Sequence, residues 1–105
     1  MKWWNDLWLN ESFATVLSYI SYSMSSPDPQ VATNAWLFFV EETRWAYDDD
    51  LVPSTHSIEA PCETTDVAQG LIDGITYGKG AALLRQIIAY VGEDNFFKGC
   101  QKYFN

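Results

Sequence analysis

Glu11 is a carboxylate set in an apolar, tryptophan-rich run, Trp3-Trp4-Asn5-Asp6-Leu7-Trp8-Leu9-Asn10-Glu11-Ser12-Phe13-Ala14. Taking a carboxylate out of water is costly unless a cation or hydrogen bonds compensate it. Glu11 is therefore either a surface residue or one that holds something positive. His56 is the single imidazole of the chain. It stands on no H-E-x-x-H helix, the pattern that puts two imidazoles and a general base on one helical face, and reads as a structural residue fixing its loop by hydrogen bonds. Tyr77 lies in Thr76-Tyr77-Gly78-Lys79-Gly80-Ala81. A phenol ionises near ~10 and so stays a proton donor at neutral pH, although a tyrosine by itself reads as a core residue with a satisfied hydroxyl. Cys62 and Cys100 have neither metal-ligand spacing nor a C-x-x-C pattern and read as thiols rather than a disulfide. Lys79 and Arg85 have the charge to bind a substrate carboxylate, but among so many acids they read as helix-surface cations paired with some of them.

Fourteen acidic against six basic residues give a net charge of −8. No basic patch is available to neutralise phosphates, which argues against a nucleic-acid partner and against an anionic membrane surface. No apolar run approaches the roughly 18 residues that span a bilayer, and the first residues lack a signal-peptide apolar core. A chain of 105 residues that is 48% apolar can bury one core. Its 16% aromatic content is high for that length. Either the core is unusually aromatic or part of the surface meets another part of a larger protein.

The elements that must position these groups are helical. Leu9, Phe13, Val16/Leu17, Ile20 and Met24 recur at three- and four-residue steps, predicting a helix from Asn5 or Asp6, both good N-caps, to Met24. Ser25-Ser26-Pro27 stops it. Asp28-Pro29 opens a second helix, predicted to run to about Tyr47 through Val31, Ala35, Phe38/Phe39, Glu42 and Trp45. Asp48-Asp49-Asp50 would oppose the macrodipole at that helix's C-terminus, so the chain is expected to leave the helix before or within it and pass through a long loop at about 48–63. Thr64 or Thr65 can cap a short helix to Gln69. Asp73 is a plausible N-cap for a third long helix carrying Ile75, Ala82/Leu83, Gln86/Ile87 and Tyr90, ending at Gly92. A last helix from about Glu93 to Phe104 puts Phe96/Phe97, Cys100 and Tyr103/Phe104 on one face. No strand pattern and no repeat is present, so the class is all-α, with four main helices.

Three blocks of this sequence resemble the aminopeptidase N family of zinc exopeptidases. Lys2 to Ala14 resembles the segment holding that family's third zinc ligand. Pro53-Ser54-Thr55-His56-Ser57-Ile58 looks like its Ser-Ser-His-Pro-Ile stretch, with Ser57 at the proline. Asp73-Gly74-Ile75-Thr76-Tyr77-Gly78-Lys79-Gly80-Ala81 is similar to its Ile-x-Tyr-x-Lys-Gly-Ala signature. The likeness continues through Leu84-Arg85 and Gly92 to Phe96, so it covers the chain in order.

The resemblance implies that Glu11 completes a His-His-Glu zinc site and that the Tyr77 hydroxyl stabilises the tetrahedral intermediate, with Gly78 and Gly80 leaving room for substrate backbone. It implies a zinc aminopeptidase acting on peptides with a free N-terminus. Residues 1–105 would be a single partial domain, the helical half of a thermolysin-like catalytic domain. The H-E-x-x-H helix, with two ligands and the general base, is then expected upstream of Met1 in the remainder of the parent enzyme, and the isolated chain is expected to be inactive. The rival reading is a non-catalytic helical interaction module, or a degenerate relative, that binds partners through an aromatic face.

Overall fold

Residues 4–105 are described by the structure, a computed structural model; Trp3 of the tryptophan-rich run lies outside the described residues. A 3-10 turn over Trp4–Asp6 leads into helix α1, Leu7–Ser23. Asp6 takes the N-cap position, but its side chain makes no capping hydrogen bond. Ser12, Val16 and Ile20 are buried on one side at four-residue steps.

Helix α2, Pro29–Asp50, starts where Asp28-Pro29 predicts. The Gln30 N–H donates to Asp28 Oδ1 at 2.9 Å, and proline occupies the first turn, where its missing N–H costs nothing. The C-terminus differs from expectation, because Asp48, Asp49 and Asp50 form the last turn of the helix rather than a solvated loop. Long-range partners outweigh the unfavourable dipole. Asp49 Oδ2 accepts the Gly74 N–H at 2.7 Å, and Asp50 accepts from Lys79 Nζ at 2.7 and 2.9 Å and from Thr55 Oγ1 at 3.0 Å. The loop therefore begins at Leu51. It ends at Thr64, whose hydroxyl accepts the Val67 N–H and caps the short helix α3, Thr65–Gly70.

Asp73 caps the next element as expected, its Oδ1 accepting the N–H groups of both Ile75 and Thr76 at 3.0 Å. That element is a π turn over Ile75–Lys79, continuous with helix α4, Gly80–Val91. The π turn has a consequence for packing. Ile75, Thr76, Gly78, Gly80, Ala81, Leu84 and Ile88 are buried, while Leu83 and Ile87 are each 42% exposed and Tyr90 is 92% exposed. The expected face, read at 3.6 residues per turn from Ile75, is out of phase by one residue. A π turn closes i→i+5, here by the Gly80 N–H on the Ile75 carbonyl, and so inserts one extra residue. Steps of five, four and four from Ile75 reach Gly80, Leu84 and Ile88.

Gly92, at φ +84°, separates α4 from helix α5, Glu93–Phe104. Such a φ is strained for any residue with a Cβ. Phe96 and Phe97 pack on the core, but Tyr103 and Phe104 stand in solvent against each other, their rings 5.1 Å apart.

The core joins α1, α2 and α4 through Val16, Ile20, Phe39, Ala81, Leu84 and Ile88. Aromatic edges close it: Tyr19 and Trp36 each meet the Phe39 ring at a steep angle, 5.4 and 5.8 Å between centroids. The Arg85 guanidinium lies 4.4 Å over the Trp36 ring rather than against an acid. The described residues are helical or irregular with no strand, so the chain is all-α.

Candidate active site

The π turn is wedged between α1 and α2, and two glycines permit it. A Cβ on Gly78 would stand 2.3 Å from the Glu42 carbonyl oxygen of α2. A Cβ on Gly80 would stand 1.8 Å from Ser12 Oγ of α1. Both distances are far inside van der Waals contact. On the Cβ side of these glycines the space is filled by the protein's own backbone and side chains, so on that side they admit α1 and α2 rather than substrate.

Hydrogen bonds hold the wedge at both ends. At its start, besides the Asp73 cap, the Tyr77 N–H donates to the Asp73 carbonyl at 3.1 Å. Asp73 is itself held by His56, whose Nε2 lies 2.7 Å from Asp73 Oδ2 while Nδ1 lies 2.8 Å from the Ser57 carbonyl. His56 thus ties the long loop to the cap, the structural role its context suggested. Against α1, Ser12 Oγ donates to the Thr76 carbonyl at 2.7 Å. At the far end Lys79 pairs with Asp50, as expected of a surface cation.

These constraints bring Glu11 and Tyr77 together. Glu11 is half-buried on α1, and its carboxylate also accepts from Asn10 Nδ2 at 3.3 Å. Burial pushes the Tyr77 phenol above its ordinary range, and a hydrogen bond to Glu11 and the charge of that carboxylate push it in the same direction. Among the described residues no Lys, Arg or His forms an ion pair with Glu11. The Trp45 ring backs Tyr77, 6.2 Å between centroids. Beyond it lies an open groove of ≈ 440 Å³ lined by Tyr19, Phe38, Glu41, Glu42 and Trp45, with Tyr19 donating to Glu42 at 3.2 Å.

The described residues contain no cluster of three or more His, Cys, Asp or Glu side chains able to hold a metal. His56 is engaged with Asp73 and Ser57. Cys62 is buried in the loop, its Sγ 3.6 Å from the Thr64 carbonyl, and Cys100 lies on α5. The candidate site residues within this chain are one carboxylate, Glu11, and one phenol, Tyr77.

The model of the peptidase family M1 domain matches residues 1–105. The chain belongs to peptidase family M1. It is 48% identical over 106 residues to an aminopeptidase N of Streptomyces lividans, the match covering 99% of the chain and 12% of that protein. It is 46% identical over 104 residues to a leucyl aminopeptidase of Saccharolobus solfataricus, covering 98% of the chain and 13% of that protein. It is 41% identical over 106 residues to the mitochondrial aminopeptidase 2 of Saccharomyces cerevisiae, covering all of the chain and 11% of that protein. The chain thus spans about an eighth of the length of these M1 relatives.

Sequence reasoning passed over Ser12, Asp49 and Trp45. Ser12 leaves a signal, a polar residue in the four-residue stripe it shares with Val16 and Ile20. The partners of Asp49 and Trp45 are distant in sequence and leave none.

Proposed function

We propose that this chain is part of the catalytic domain of a zinc aminopeptidase, in which Glu11 is a metal ligand and Tyr77 the donor to the oxyanion. The observation that carries the reading is the hydrogen bond from Ser12 Oγ to the Thr76 carbonyl, 2.7 Å long, which brings the segments carrying Glu11 and Tyr77 side by side, with the Glu11 carboxylate near enough to add to burial in raising the Tyr77 pKa. The donor set fits one share of a zinc site. Glu11 offers an oxygen ligand on a rigid helix, half-exposed and with no cation paired to it among the described residues. Catalytic zinc takes three protein ligands and keeps a fourth position open, so two ligands must come from the remainder of the enzyme, as must the general base. When bound, the metal acidifies water and polarises the scissile carbonyl.

The chain's own contribution is positional and electrostatic. α1 presents Glu11 at fixed depth. The Tyr77 hydroxyl, held protonated, donates to the carbonyl oxygen as negative charge develops there, an interaction worth roughly 2.7–4 kcal/mol when a single such donor is removed. Peptides with a free N-terminus are the proposed substrates. The exposed apolar residues of α2, Leu37, Phe38 and Val40, are proposed to meet the rest of the enzyme; in the rival reading of a non-catalytic module they would meet another partner. Metal analysis of the full-length polypeptide separates the two. One zinc per chain, lost with Glu11→Gln together with peptidase activity, supports the enzyme. Full zinc and full activity in Glu11→Gln would remove Glu11 from the site.

A further inference from the structure

We infer that Ser12 is a positioning residue for the reaction: its hydroxyl clamps the π turn to α1 and thereby sets the Tyr77 hydroxyl against Glu11. This rests on the reading of Tyr77 as oxyanion donor. Ser12 follows Glu11 and Thr76 precedes Tyr77, so the bond from Ser12 Oγ to the Thr76 carbonyl, 2.7 Å long, joins the immediate neighbours of the two site residues across 64 positions of sequence. Ser12 is 0% and Thr76 1% exposed, the buried polar side chains among the described residues. Successive side chains on a helix point about 100° apart, so a Ser12 that points into the seam leaves Glu11 on the flank that Tyr77 occupies. Gly80 covers the hydroxyl from the other side, since any Cβ there would meet Ser12 Oγ and, at 2.9 Å, Ser12 Cβ. The hydroxyl therefore has one place to be and one carbonyl to bond. A seam locked in this way matters for catalysis because a misplacement of about 1 Å can cost ~10²-fold.

The test is a double-mutant cycle in the zinc-loaded full-length polypeptide, with kcat, KM and zinc content measured for Ser12→Ala, Tyr77→Phe and the pair. Expected for Ser12→Ala is a kcat lower by about 10- to 10²-fold, with zinc retained and KM within about twofold. In the Tyr77→Phe background the same change should lower kcat by less than about twofold, because the group it positions is gone. Equal losses in both backgrounds, or no loss in either, would overturn the inference and leave Ser12 a packing residue. If Tyr77→Phe alone leaves kcat intact, the reading of Tyr77 fails first and the inference falls with it. Should Ser12→Ala not fold, Ser12→Cys, which keeps the shape and weakens the donor, enters the same cycle with the same criteria.

Discussion

Tyr77 on the π turn and Glu11 on α1 stand across one seam, their immediate neighbours Thr76 and Ser12 joined by a 2.7 Å hydrogen bond, and Glu11 adds to burial in raising the Tyr77 pKa. A hydrogen bond from a phenol to a carboxylate favours the protonated phenol, and the negative charge beside it does so again. The proton is thus favoured on Tyr77, as its proposed role of oxyanion donor requires.

Tyr77→Phe in the full-length enzyme should lower kcat by roughly 10²–10³. Zinc content by elemental analysis should not change, since Phe removes only the hydroxyl. Undiminished kcat would make Tyr77 a packing residue.

Removing the charge of Glu11 should release part of the hold on Tyr77. In the metal-free protein the Tyr77 pKa is raised, first by burial and then by Glu11. The stability it contributes is complete below the unfolded-state value near ~10 and is lost as pH rises through the higher folded-state value. Glu11→Gln should move the Tyr77 titration down toward the ordinary tyrosine range without reaching it, because burial remains. Ring-carbon NMR of labelled tyrosines reads this directly, and an unmoved titration would refute the contact.

Gly78 tests the wedge. Gly78→Ala drives a methyl into the Glu42 carbonyl of α2, and backbone cannot step aside as a side chain can. A loss of about 1–3 kcal/mol in thermal or denaturant unfolding is expected, as for overpacked cores. Gly99→Ala, in α5 with nothing within 4 Å of the added atom, should instead stabilise by about 0.4–1 kcal/mol.

The pair that closes α2 should respond to acid and salt. Lys79, and after it Thr55, hold the Asp50 carboxyl below its ordinary range by hydrogen bonding. This contribution is present above the unfolded-state pKa and lost as pH falls through the folded-state value. Lys79→Met should return the Asp50 titration toward the ordinary aspartate range in carboxyl-carbon NMR, and high salt should do the same in part, since the pair is exposed. If the last turn of α2 keeps its amide protection in Lys79→Met, Asp49 and Gly74 suffice to hold it.

Much of the fold was readable because its signals are local. Asp28, Thr64 and Asp73 cap the elements their chemistry suits, Pro27 and Gly92 stop helices, and three- and four-residue spacing marks α1 and α2. Each of these depends on a few neighbouring residues. The last turn of α2 was misread for the same reason: Asp48-Asp49-Asp50 is unfavourable by local rules, and the Lys79 and Gly74 groups that outweigh them arrive from another part of the chain.

By itself, then, the sequence determined an all-α chain and, through the tryptophan-rich and Tyr-x-Lys-Gly-Ala blocks, the M1 family to which it belongs. Only the tertiary structure decided the phase of α4 and the pairing at the candidate site. The π turn costs helical regularity, and no local pattern asks for it. It lies where α1 and α2 close on it, Gly78 against a carbonyl and Gly80 against Ser12. Which residues touch across that seam is set by close packing and by a buried hydrogen bond between distant residues, and a reading of neighbours along the chain contains neither.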